Sequence, residues 1–212
     1  MSTEISIDPI LVNPDAPVAL AATVGTDESF SAVLANTGTQ RIDGGDGTDS
    51  LSISATGVTG GLTLRGTSGG AAWSFGSAGY YDDIKAVLST ATGDLTVGVS
   101  GQTGAVSFAN MENLSVTGGV SNDLILSRGT GTINGGAGTD TLYADWSAAT
   151  GAIVWDNLAS ATAQTVNGVT ISNIERLQIE TGSGHDAITN TRVSTDDYIN
   201  TGAGNDTITL AS

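Results

Sequence analysis

Apolar residues along the chain come in short runs. Leu124–Leu126, Val166–Ile171, Leu177–Ile179 and Thr207–Leu210 are each bounded by Gly, Asn or Asp, the pattern of short strands separated by tight turns. Near the start, Ile5 and Ile7 alternate with polar residues, and Ile10 and Val12 precede Pro14. This predicts an extended segment that either covers the end of its own fold or adds to a neighbour's sheet edge. Helical spacing is confined to residues 82–88, where Ile84, Val87 and Leu88 share one side. No run approaches the ~20 apolar residues of a membrane-spanning helix.

Internal repeats organise the chain. Gly44-Gly45-Asp46-Gly47-Thr48-Asp49-Ser50-Leu51 returns 91 residues later as Gly135-Gly136-Ala137-Gly138-Thr139-Asp140-Thr141-Leu142, and Leu62 and Leu64 fall on Ile153 and Trp155 at the same offset. Asn110-Met111-Glu112-Asn113-Leu114 returns as Asn173-Ile174-Glu175-Arg176-Leu177, now 63 residues on, and so do Val106, Phe108 and Asp123 as Val169, Ile171 and Asp186. The chain is therefore two copies of one long unit, the first holding 28 extra residues (91 minus 63) between Leu64 and Leu95. We expect an extended or capping segment over 1–35 and a duplicated domain over 36–212, with the insertion at about 65–93. The insertion holds the candidate helix and Trp73, Phe75, Tyr80 and Tyr81, which serve either as a contact surface or as a cap. Trp146 and Trp155 read as packing residues. Glu112 and Glu175, being equivalent, read as structural.

Composition narrows the function. Twenty-two acidic residues against six Lys and Arg give a formal charge of −16, which repels nucleic acid and anionic membranes. So many carboxylates point towards cations. Thirty glycines with only three prolines indicate turns rather than a collagen-like repeat. Cysteine is absent, so no disulfide stabilises the fold. The six basic residues are scattered, and neither a zinc-protease H-E-x-x-H nor a G-x-S-x-G nucleophile elbow occurs. We expect no enzyme.

The turns carry the chemistry. Residues 181–188 (Thr-Gly-Ser-Gly-His-Asp-Ala-Ile) and 201–208 (Thr-Gly-Ala-Gly-Asn-Asp-Thr-Ile) keep the same form, and 118–125 is a weaker version. Glycines let main-chain carbonyls point inward, and Asp adds a hard anionic oxygen; calcium takes 6–8 oxygens, more than one loop supplies. The candidate ligands are the acids Asp49, Asp123, Asp140, Asp186, Asp206 and Asp46, the amides Asn122 and Asn205, and the turn glycines Gly45, Gly136, Gly182 and Gly202. Leu51, Ile125, Leu142, Ile188 and Ile208, each two places after an Asp, are expected to point inward.

This pattern resembles the G-G-x-G-x-D-x-U-x nonapeptide of the RTX (repeats-in-toxin) family. The resemblance implies an all-β fold, a parallel β-helix or interrupted calcium-binding β-roll with one short helix in its insertion. It also implies stacking of turns about 18 residues apart, two nonapeptides. Asp123 and Asp140 are 17 residues apart, and Asp186 and Asp206 are 20 apart, so those turns are expected to pair. Asp49 finds only a degenerate predecessor near Gly38-Thr39-Gln40. The resemblance further implies Ca2+ as cofactor, folding on export, and similarity to type I-secreted surface-layer, matrix or adhesin proteins. An extracellular or cell-surface location reached without an N-terminal signal peptide follows, as do self-association and a cell-surface polysaccharide as expected partners. The runner-up reading is the folding and export module of a larger adhesin or secreted enzyme.

Overall fold

The computed structural model describes residues 3–6, 18–21, 25–66, 81–82, 84–85, 95–157, 161–191 and 196–210. These residues are all-β apart from helical Tyr81, Asp82, Ile84 and Lys85. In chain order the strands are β1 (Thr3–Ser6), β2 (Val18–Ala21), β3 (Glu28–Val33), β4 (Thr39–Asp43), β5 (Ser50–Ser54) and β6 (Leu62–Gly66). After the insertion come β7 (Leu95–Val99), β8 (Ala105–Ala109), β9 (Asn113–Thr117), β10 (Leu124–Leu126), β11 (Gly131–Asn134), β12 (Thr141–Asp145) and β13 (Val154–Asp156). The last are β14 (Gln164–Val166), β15 (Val169–Ser172), β16 (Arg176–Glu180), β17 (Ala187–Asn190), β18 (Tyr198–Asn200) and β19 (Thr207–Leu210).

Four sheets form, ordered β1-β3-β5-β9-β11-β15-β14, β2-β4-β8-β7-β6, β10-β12-β16-β18 and β13-β17-β19. Strands consecutive in sequence mostly lie in different sheets, and neighbours within a sheet are parallel except at β6–β7, β7–β8 and β14–β15. Parallel pairing brings chemically equivalent residues into columns. Ile53, Val116, Ile133 and Ile171 stand in one column, Ile125, Leu142 and Leu177 in a second, and Trp155 and Ile188 in a third. All are buried, and full burial of such side chains stabilises by about 1.5–3 kcal/mol each. The opposite face of the largest sheet presents a row of hydroxyls, Ser31, Ser52, Ser115, Thr132, Thr170 and Thr165.

Several expectations change. The run Val166–Ile171 is broken by a two-residue turn at Asn167 and Gly168 (φ 47° and 80°), so it folds as a hairpin of β14 and β15; two successive positive φ values suit a tight hairpin turn. Ile208 extends the Trp155–Ile188 column but stays 42% exposed, because among the described residues β19 has only β17 beside it. The N-terminal residues belong to the same stack. Phe30 and Leu34 are core residues, and β1 and β2 pair parallel with β3 and β4. The insertion opens between antiparallel β6 and β7. Its Tyr81 ring stacks on Tyr198 at 4.4 Å and lies 4.9 Å from Tyr143, and Lys85 pairs with Asp145 and Glu180. That side of the sheet β10-β12-β16-β18 is where the described part of the insertion docks. Trp73, Phe75, Tyr80, Val87 and Leu88 lie outside the described residues. Trp146 and Trp155 pack together, with ring centres 6.2 Å apart.

Candidate metal centre

Each Gly-Asp turn starts from a polar residue that ends a strand. Asp43, Asn134 and Asn200 accept the N–H of Gly45, Gly136 and Gly202 at 3.2, 3.0 and 3.1 Å, the local side-chain turn that Asn and Asp favour. The chain then runs against the next rung too closely for a side chain. A Cβ on Gly44 would lie 2.0 Å from the Asn110 carbonyl oxygen and 2.7 Å from Asp49 Oδ2. On the equivalent Gly135 it would lie 1.9 Å from the Asn173 oxygen and 2.5 Å from Asp140 Oδ2. In both copies a carboxylate oxygen and a neighbouring carbonyl thus converge where glycine leaves space.

The carboxylates form ladders between rungs. Asp140 Oδ1 accepts the N–H of Asp123 at 2.8 Å, and Asp206 Oδ1 that of Asp186 at 2.9 Å, so both turn pairs expected from spacing do stack. The duplication is visible bond by bond. Glu112 caps the N–H of Asp49 at 2.7 Å as Glu175 caps that of Asp140 at 2.9 Å. Asp123 accepts from Leu62 at 2.7 Å as Asp186 does from Ile153 at 2.8 Å. Asn110 and Asn173, both at φ 52°, donate to Asp43 and Asn134 at 2.7 Å.

Asp49 is the exception to the expected stacking. Its neighbour is the turn over residues 25–28, not Gly38-Thr39-Gln40. Gly25 donates to the Asp46 carbonyl at 3.2 Å, Thr48 N–H to Asp27 Oδ1 at 2.9 Å, and Glu28 N–H to Asp49 Oδ1 at 2.8 Å. A turn of different composition fills the position because it supplies the same acid one rung earlier.

Asp49, Asp123, Asp140 and Asp186 are at most 1% exposed, and none has an ion pair with a basic side chain among the described residues. Burial pushes the Asp140 carboxyl up to about 8, against the hydrogen bond from Asp123. Burial likewise raises Asp49 and Asp123, and at Asp49 the Glu28 carboxyl adds to the rise. Asp123 Oδ2 accepts the Gly119 N–H at 2.8 Å, and Asp186 Oδ2 accepts the Thr181 hydroxyl. Asp49 Oδ2 and Asp140 Oδ2, equivalent atoms of the two copies, are buried with no hydrogen-bond partner. An unsatisfied buried polar atom costs ~1–3 kcal/mol, and more when charged.

The other predicted residues divide. Gly182 lies buried with the Ala149 carbonyl 1.8 Å from the position of a Cβ, and Gly45, Gly136 and Gly202 shape the turns. Asp46, Asn122 and Asn205 sit at exposed turn tips. The tips have their own ladder: Asn122 Oδ1 accepts the Thr139 N–H and His185 Nδ1 that of Asn205, both at 2.9 Å. Sequence reading missed Glu28, Asp27 and Asp197; the last accepts the Leu177 N–H at 2.8 Å and an Asn190 amide at 2.9 Å.

Among the described residues, no group of three or more His, Cys, Asp and Glu side chains forms a ready ligand set. An ion at these turns would have to take most of its oxygens from the main chain. The donors are hard oxygens only, which suits calcium rather than a softer transition metal, and the unpartnered Asp49 Oδ2 and Asp140 Oδ2 are placed to serve as ligands. Turns, ladders and spare carboxylate oxygens fit the cation in donor chemistry. The chain matches no model of a known protein family, and neither a curated protein nor a solved structure matches it.

Proposed function

We propose that this is a calcium-binding extracellular structural protein of the RTX type, which folds on export and self-assembles in a surface layer, matrix fibre or adhesin. Its winding strands are read as a parallel β-helix, or a β-roll whose calcium turns are interrupted. One observation carries the reading. Two equivalent aspartates, Asp49 and Asp140, are buried beside glycine turns with a carboxylate oxygen left over and no basic partner among the described residues. A bound divalent ion neutralises such groups, and because the unfolded chain has no site, its binding free energy becomes folding free energy. At free calcium 1,000-fold above Kd, one site contributes about 4 kcal/mol. In calcium-poor cytosol the same carboxylates repel, which keeps the chain loose before export.

Association is supported by β19, an open sheet edge with Ile208 and Leu210 42% and 49% exposed; unpaired edges recruit further strands. The outward hydroxyl row supports a neutral, hydrogen-bonding partner such as a cell-surface polysaccharide. A structural rather than catalytic role is supported by Glu112 and Glu175, whose carboxylates are engaged in capping main-chain N–H groups. Far-UV circular dichroism with size analysis, before and after calcium addition, tests the reading. A disorder-to-β transition accompanied by polymers is expected. The same transition in a monomer would instead favour an export and folding module, and an unresponsive spectrum would end the calcium reading.

A further inference from the structure

The turns at Asp49 and Asp140 each have a buried acid on the rung below, Glu28 and Asp123, but both carboxylate oxygens of Asp123 are taken by the Leu62 and Gly119 N–H groups. Glu28 is 2% exposed and opens β3. Its Oε1 accepts the Thr26 hydroxyl, while its Oε2 is buried without a partner, as is Asp49 Oδ2. Its N–H donates to Asp49 Oδ1 at 2.8 Å, which sets the two buried acids on adjacent rungs. No glycine nonapeptide includes Glu28: residues 25–28 read Gly-Thr-Asp-Glu. Neither spare oxygen meets a donor, and a cation bound between the two acids would satisfy both.

Resting on the calcium reading of the turns, we infer that Glu28 and Asp49 together form a distinct two-carboxylate calcium site that fastens the first rung to the duplicated domain. Glu28 Oε2 and Asp49 Oδ2 contribute the anionic oxygens, and main-chain carbonyls and water complete the 6–8 that calcium requires. Two unpartnered carboxylate oxygens at one site, against one at Asp140, make it the tighter of the two, since calcium affinity rises with the number of charged ligands. The ion also ties β3 to β5. The N-terminal segment, whose sequence lacks the repeat, thereby joins the stack through metal as well as through Phe30.

Calorimetric titration of the full chain with calcium, paired with amide hydrogen exchange, tests this. Glu28→Gln keeps the side-chain shape and the Thr26 bond but removes the charge. It is expected to bind one calcium fewer, or to bind that one at least about tenfold more weakly, with faster exchange in β3 and unchanged exchange in β12. Glu28→Asp, which keeps the charge on a shorter stem, should retain the stoichiometry at reduced affinity. Wild-type protein that takes up calcium alongside a Glu28→Gln variant with the same stoichiometry, affinity and β3 protection would overturn this inference alone. Wild-type protein that takes up none would overturn the reading of the turns as well.

Discussion

Replacing Gly135 with alanine lowers the melting temperature by roughly 6–12 °C, the equivalent of about 3 kcal/mol in a chain of this size. The added methyl would sit 1.9 Å from the Asn173 carbonyl oxygen, 2.5 Å from Asp140 Oδ2 and 2.7 Å from Asp140 Cβ. A flexible side chain could swing away, but a carbonyl fixed in the next rung cannot. The two rungs must part, and the Gly135 N–H bond to Ser172 at 3.1 Å is strained with them. Gly57 is the matched control. It sits in a turn with nothing within 4 Å of its would-be Cβ, and alanine there is expected to be neutral or to stabilise by ~0.4–1 kcal/mol through the unfolded chain. Thermal melts of the two variants side by side decide the matter. Equal, small shifts would mean that the rungs do not stack closely at Gly135.

The second large effect is on pH dependence. Asp140, raised by burial to about 8, holds a proton in the folded state across a range where the unfolded carboxyl, near 3.9, has lost it. Between about pH 4 and pH 8 the folded chain therefore binds more protons than the unfolded one, so calcium-free stability falls as pH rises. Each such group contributes up to ~1.4 kcal/mol per pH unit, and Asp49 and Asp123 shift in the same direction. Calcium reverses the trend, because the ion competes with the proton and binds better as the carboxyls ionise. Melting curves at pH 5 and pH 8, each with chelator and with millimolar calcium, should cross: chelated protein more stable at pH 5, loaded protein at pH 8. Parallel curves would mean that no ion replaces the protons on these carboxyls.

Much of this architecture is written in the repeats. The 91- and 63-residue offsets recur as hydrogen bonds, Asp49 to Glu112 and Asp140 to Glu175. β6 and β7 flank the stretch to which the difference between the offsets assigns the insertion. What escaped has a common physical cause. A rung needs an acid two residues before an inward apolar residue, and glycines are needed only where the chain must pass close to its neighbour. Glu28 before Phe30 and Asp197 before Ile199 meet the first condition without the second, so a search keyed on glycine passes over them, while acid-x-apolar spacing finds both. The hairpin at Asn167-Gly168 was legible in principle, since that dipeptide favours the required positive φ, but a continuous β-branched run masked it. Exposure of Ile208 has no local signature. It depends on what lies beyond β17 and β19, which no residue in that strand encodes.

Anomalous diffraction from crystals grown in millimolar calcium tests the central claim most directly. The account predicts ion density beside Asp49 and Asp140, with each Oδ2 about 2.3–2.6 Å from the metal and neighbouring main-chain carbonyls completing the shell. Well-ordered turns with no anomalous peak and with both Oδ2 atoms left without a ligand would contradict it.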